Sequence, residues 1–529
     1  MKKPIRFLAL ALALVLSLGV LASCNGGGAG NVQTGNRGED GSWDDVDFGG
    51  STLKISVSAN RPNETTMPEC SIYTKGPDKT SSDNVQKKVY ERNRDVANML
   101  NLKVDYTTTN LPYADIPEDV EKWVQSSDSV DIYINDICAL TRCMFQGYFT
   151  NLLNFGTNAD GSKVQNFFDF SYDGWYEDYM KGLTLDSSKQ YIMAGDYFVD
   201  LIRFAWVLFV NVTEFDATFA ELQDWVSYDY TARRIDFAGD WDYDDLAFLA
   251  GKAHNDDKNK GTTDLEDTRI GLLFAGMSSR IASWTTGLSV VEWEDGEIGK
   301  GTPKIVGEAG TDPATKSLLS DVSVAYGKLY RAAGVYNTTG QKDCVDYFID
   351  GKAVFSTVVL GEMESDSMRD VAFTRGVLPF PKYSSEAQED FHTLVHDQAE
   401  VGVILKNAAA PTMASAYMQA INEKSATVLT EYYEKSLKVK YNTAGDSEGG
   451  VRLMIDLVHD TVDSPFESLI VGNYLYWYAN GGIGKVAAYY HMGTDARNNS
   501  SNFSTNYDAA VPALAAYLKT MCDTFASYK

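Results

Sequence analysis

The feature that most constrains the fold is an alternation of strand and helix patterns over residues 51–136, closing on the apolar run "VDIYIND" (130–136). It begins with "STLKISVSAN" (51–60), an alternating strand whose exit carries Ser58, Asn60 and Arg61. Asp83 and Gln86 then have capping-box spacing, and Val85, Val89, Val96 and Leu100 recur near the helical period. "NLKVDYTTT" (101–109) is a second strand, and Pro117 opens a short helix carrying Val120, Trp123 and Val124. Strand, helix, strand, helix, strand is the pattern of a parallel α/β sheet.

The pattern restarts at "FAWVLFVN" (204–211). "GDWDYDDLAFLAGKA" (239–253) follows as a helix with Asp242 as N-cap, and "RIGLLFAG" (269–276) as a strand. Asp312-Pro313 opens a long helix, because proline suits the first turn; Leu318, Leu319, Val322, Tyr326 and Leu329 form its apolar stripe. "GKAVFSTVVL" (351–360) and "GVLPFPK" (376–382) read as strands, and Pro411 to Tyr528 as mostly helical. At 529 residues the chain is too long for one core, so two α/β regions imply two domains.

The N-terminus sets the compartment. Lys2, Lys3 and Arg6 precede "FLALALALVLSLGVLASC" (7–24), the layout of a secretory signal, and Leu21-Ala22-Ser23-Cys24 resembles a bacterial lipobox. On that reading residues 1–23 are removed and the Cys24 thiol is acylated, each chain contributing about 0.8 kcal/mol per buried methylene. The Gly-rich "NGGGAGNVQTGNRGEDGS" (25–42) extends as a flexible tether over residues 24–50. A net charge of −27 lacks the basic footprint that nucleic acid requires. Five cysteines after Cys24, irregularly spaced, make no disulfide framework.

Taken in order, these blocks resemble the family-one extracellular solute-binding lipoproteins of bacterial ABC importers, a group with many sugar-binding receptors. The resemblance rests on the lipobox, "VDIYIND", "LFVN", "GDWDYDDLAFLA", "GKAVFSTVV", "GVLPFPKY" and "GDSEGGVRLMIDLV" (445–458), and spans most of residues 51–529. Two departures stand out. Val212 follows "LFVN" where a basic residue is usual. In "NDDKNKGTTDLED" (255–267), which is similar to a calcium-binding turn, Lys260 occupies the glycine position, so a solvated acidic turn is expected.

The resemblance implies a two-lobed periplasmic-binding-protein fold of type II, with hinge crossovers and a helical C-terminal part. Residues 51–203 and 356–410 would form lobe 1, and 204–355 and 411–529 lobe 2. It implies an anchored receptor on the extracellular face of the cell membrane, delivering a carbohydrate, an oligosaccharide above all, to ABC permease transmembrane subunits. The competing readings are a surface-anchored carbohydrate-active enzyme and a transporter-independent sugar sensor. No cofactor or metal is expected: no G-x-S-x-G, H-E-x-x-H or phosphate loop occurs. His392 and His396 have i,i+4 spacing, but "FHTLVHDQAEVGVIL" (391–405) reads as extended chain.

Ligands of open α/β sheets bind beyond the carboxyl ends of strands, which points to Asn60, Arg61, Asn135 and Asp136. Asn135-Asp136 has an alternative as a helix cap. Tyr197, Trp206 and Trp284 are candidate stacking platforms for a sugar ring, with core packing the alternative for Trp206. Glu362, after "AVFSTVVLG", is a further candidate for the cleft.

Overall fold

The computed structural model describes residues 35–59, 67, 69–77, 79–219, 227–229, 234–236, 241–257, 261–437, 450–478, 487–500 and 502–528. Residues 1–34, with the signal and Cys24, and Asn60 and Arg61 lie outside them. Two compact units divide the chain: Met1–Thr52 with Ala97–Val104, and Leu53–Val96 with Asp105–Lys529.

In the smaller unit, the Phe48 and Gly50 amides donate to the Leu100 and Asn101 carbonyls at 3.0 and 2.7 Å. Trp43, Val46 and Phe48 are buried, and Arg37 lies 4.7 Å over the Trp43 ring. The expected tether over 24–50 therefore does not extend to residue 50. Three large apolar side chains within six residues bury enough surface to order the segment from Trp43 on.

The strands form two five-stranded sheets, all but the ends of β1 and β2 within the larger unit. Strands β1 (Ser51–Ser58), β2 (Leu102–Thr109), β3 (Ile132–Asp136), β4 (Ile192–Met193) and β14 (Glu400–Ile404) form the first, in the order β2-β1-β3-β14-β4. β1 and β3 are parallel, with Ile55 opposite Ile132, whereas β14 runs antiparallel to β3 and β4. The second sheet, β11-β8-β12-β5-β13, comprises β5 (Trp206–Asn211), β8 (Ile270–Phe274), β11 (Val335–Asn337), β12 (Ala353–Val359) and β13 (Arg375–Leu378). There β8, β11 and β12 are parallel and β5 is antiparallel to β12 and β13. Two hairpins complete the strands: β6 (Ser227–Asp229) with β7 (Arg234–Asp236), and β9 (Val291–Trp293) with β10 (Pro303–Ile305).

Local chemistry accounts for the flanking helices. Asp242 accepts from the Asp244 and Asp245 amides and forms a capping box with Asp245, starting the helix Tyr243–Ala253. Asp312 accepts from the Ala314 amide ahead of Pro313 and the helix Pro313–Arg331. Asp83 accepts from the Gln86 amide at the head of Asn84–Met99. β5 and β12 are buried along their whole length, as strands covered on both faces must be.

The expected lobe boundaries need correction. Residues 356–359 and 375–378, assigned to lobe 1, pair inside the second sheet. The helix Pro411–Glu423, assigned to lobe 2, serves the first: Gln419 accepts from the Trp175 indole (2.8 Å), Asn422 from the Tyr197 amide (2.9 Å), and Tyr417 pairs with Tyr106 (2.9 Å). The reason is strand order. β12 must pair with both β8 and β5 to complete the second sheet, so the chain cannot return to the first until after β13.

Candidate functional site

Three chain segments cross side by side between the sheets. The Trp206 amide donates to the Leu394 carbonyl and the His396 amide to the Phe204 carbonyl, both at 2.8 Å, with Ala205 and Val395 forming an antiparallel bridge. On the far side Thr393 donates to Thr461 (2.7 Å) and receives from the Asp463 amide (3.0 Å). His392 and His396 therefore lie on extended chain, as the sequence implied.

A pocket of about 570 Å³, counting its open mouth, lies along this ladder. Tyr176, His459 and the largely buried Tyr179 supply aromatic rings, Leu201, Ile202 and Val462 an apolar wall, and Glu177 and Asp178 carboxylates. The His459 ring makes T-shaped contacts with Tyr176 and Tyr433, each with centroids 6.3 Å apart. Nearby, burial raises the Asp196 carboxyl to about 6 against the opposing pull of the Tyr176 hydroxyl and His459. Tyr179 also lines a narrow gap with Trp284, Leu394, Asp463 and Glu467 that has room for about one water. Burial pushes Glu467 up to about 8 although Ser289 and the Val290 amide donate to it. Aromatic rings, an apolar wall and two exposed carboxylates, both paired with Lys181, together suit a polyhydroxylated ring: the C–H faces pack on aromatics and the hydroxyls meet charged acceptors.

The residues expected to hold a ligand are placed differently. Asp136 caps the helix Ile137–Met144, accepting from the Cys138 and Ala139 amides at 2.9 and 3.3 Å. Its carboxyl is pushed well above the ordinary range by burial and by Asp397. Asn135 turns inward and accepts from the Asp136 amide. Tyr197 is fully buried, its ring 4.9 Å beneath Arg92 and edge-on to Phe198. Trp206 is fully buried and stacks on His396 at 5.4 Å, which answers the core alternative. Glu362 is 1% exposed inside the 3-10 turn Leu360–Glu364. Trp284, on the helix Ser278–Trp284, is 4% exposed and packs on Gly472, where an added Cβ would come within 2.2 Å of its ring. None of these rings presents a face to open solvent: Tyr197 lies under Arg92, Trp206 against His396 and Trp284 against Gly472.

The sequence reading missed Tyr176, Tyr179, His459 and Glu467, which lie in loops and helix ends without periodic signal. It also missed a fully buried ion pair, Arg203 with Glu364, 2.6 Å apart. That one had a signal: Arg203 is the sole charge in "LIRFAWVLFV". Cys70, Cys138, Cys143 and Cys344 are buried, Cys522 is partly exposed, and none of the five is in a disulfide. Among the described residues no group of three or more His, Cys, Asp or Glu side chains is placed to hold a metal ion. The turn 255–267 lies partly outside them; its Asp267 is held by His254 at 2.9 Å.

The cap makes a direct prediction. Asp136→Ala removes the acceptor for two helix amides and should cost about 1 kcal/mol in denaturant unfolding. Asp136→Asn keeps an acceptor without a buried charge and should be neutral or stabilising at pH 7. A loss for Asp136→Asn as large as that for Asp136→Ala would show that the charge itself is needed.

No protein-family model matches the chain, and no curated protein matches its sequence. Solved structures do. The maltose-binding periplasmic protein from Listeria monocytogenes, in complex with maltose, aligns at a TM-score of 0.50 with 14% identity, covering 89% of this chain and 98% of that one. The galacto-N-biose-/lacto-N-biose I-binding protein of the ABC transporter from Bifidobacterium longum, in complex with lacto-N-biose, aligns at 0.50 with 11% identity over 89% and 98%. The chain thus has the periplasmic-binding-protein fold: two α/β lobes, hinge crossovers and a helical C-terminal part. Both structures are of sugar-binding proteins. No helix among the described residues is long and apolar enough to cross a membrane.

Proposed function

We propose that this protein is a solute-binding receptor of an ABC importer that captures an oligosaccharide between its lobes and delivers it to a membrane permease. The observation that carries the reading is the tyrosine- and carboxylate-lined pocket set along three crossing segments in this fold. Tyr176 and Tyr179 supply the stacking surfaces, while Glu177, Asp178 and His459 meet hydroxyls. Asn60 and Arg61, which follow β1 in the sequence and lie outside the described residues, are further candidates for ligand contact. Lobe 1 comprises the first sheet with residues 411–437, and lobe 2 the second sheet with 450–460 and 487–498. Ligand binding favours the closed arrangement through contacts that only the closed form completes.

A thermal-shift screen of the chain from residue 25 onward against defined oligosaccharides tests this reading. A binder should raise the melting temperature, reduce the radius of gyration in solution scattering, and be recovered intact by mass spectrometry. Cleavage of the ligand would make the protein an enzyme, and the absence of any saccharide binder would remove the carbohydrate reading. Tyr176→Ala and Tyr179→Ala should each weaken a verified binder about tenfold or more, as truncated aromatic hot spots do.

The receptor is held at the extracellular face of the cell membrane by acyl chains on Cys24, the lipobox of the sequence being the support for this. Cys24→Ser should leave the fold intact and abolish incorporation of a fatty-acid analogue in labelled cells. Undiminished label in that variant would place the anchor elsewhere.

A further inference from the structure

The carboxylate of Glu364 is held from three directions. Its Oε1 accepts from Arg203 Nε and the Tyr432 hydroxyl, and its Oε2 from the Tyr73 hydroxyl, all at 2.6 Å. The Arg203 guanidinium also lies 4.2 Å over the Tyr73 ring. Both charged side chains are entirely shielded from solvent. An ion pair this far from water is tolerated only where geometry is good and the remaining lone pairs are filled, and separating it leaves two uncompensated charges.

The four residues come from opposite sides of the crossing. Glu364 ends the turn Leu360–Glu364 that leaves β12 of the second sheet. Tyr73 sits on the short helix Ser71–Thr74, whose Thr74 hydroxyl donates to Glu400 of β14 in the first sheet. Tyr432 follows the first-sheet helix Pro411–Glu423, and Arg203 directly precedes the crossing. The clasp is anchored at the crossing itself: Val359 pairs with Trp206, and the Leu360 amide donates to the Ala205 carbonyl at 2.9 Å. Gly361 permits the approach, since a Cβ there would stand 2.2 Å from Met67 Cε and 3.0 Å from the Arg203 carbonyl oxygen.

We propose that this Arg203–Glu364 clasp is the fixed pivot of lobe opening, remaining made in open and closed forms while the crossing segments around Thr393 and Thr461 take up the motion. Points on a rotation axis move least, so a contact costly to break belongs on the axis. The proposal rests on the receptor reading for its purpose, but its test needs no ligand and stands or falls separately.

Hydrogen exchange on the complete ligand-free protein gives the primary test. The Leu360 and Ser365 amides should exchange as slowly as those inside β5, and at least tenfold more slowly than the Thr393 and Asp463 amides. Equal exchange at Leu360 and Thr393 would overturn the pivot. For an independent measure, spin labels on Leu153→Cys and Val324→Cys, both exposed positions, report the distance between the sides. Removing both charges together, Arg203→Met with Glu364→Leu, should at least double the width of that distance distribution. An unchanged width in the folded double variant would also overturn the proposal, and if that variant fails to fold the exchange measurement still decides.

Discussion

Replacing Trp284 with alanine should lower stability by about 3–5 kcal/mol, the cost of truncating a large buried aromatic. At 4% exposure the indole leaves a cavity beside the space it shares with Tyr179, Leu394 and Glu467, and Gly472 loses the ring it was built to meet. The sequence suggested the opposite emphasis: a tryptophan in the small-residue loop "RIASWTTG" (280–287) read as a platform facing solvent. Equilibrium unfolding and calorimetric affinity on the same variant separate the two roles. A variant that melts like the parent while losing a verified ligand would restore the platform.

The second large effect is a pH dependence carried by Glu467. Its native carboxyl titrates near 8, against an ordinary value of 4.5, and the first cause is burial. Between those values the native state holds a proton that the unfolded state has released. Its contribution to stability is therefore complete below about pH 4.5, falls as pH rises through the window, and is lost by about pH 8. A shift of this size corresponds to roughly 4–5 kcal/mol over the window. Asp196, raised to about 6, adds a smaller loss of the same sign at the acidic end. Glu467→Gln retains an acceptor for Ser289 and the Val290 amide but cannot ionise. Relative to the parent, this variant should gain stability steadily from pH 5 to pH 8 in denaturant titrations. A difference that does not vary with pH would mean that Glu467 is ionised in the folded protein throughout.

The strands and helices were legible because each has a local cause. Period-two runs became β1 and β2, a continuous apolar run became β5, and Asp242 and Asp312 announced their helices. The lobe boundaries were not legible, because a strand's partner is a long-range fact. "GKAVFSTVVL" (351–360) reads identically whichever sheet receives it, and only the pairing of β12 with both β8 and β5 decides.

The same division runs through the site. Local pattern was enough for an α/β chain in two regions, the capping of a helix by Asp242, and the extended form of the segment holding His392 and His396, but it left Asp136 open between ligand contact and helix cap. Those outcomes follow from side-chain spacing and from hydrogen bonds spanning a few residues. Tertiary structure alone decided which aromatics are core and which line a pocket. Trp206 and Tyr197 disappear beneath His396 and Arg92, while Tyr176 and Tyr179 line the opening beside the crossing segments. It also brought Glu364 to Arg203, 161 residues away in the chain. Burial is a property of what the rest of the chain places on top of a residue, and no local pattern carries that information.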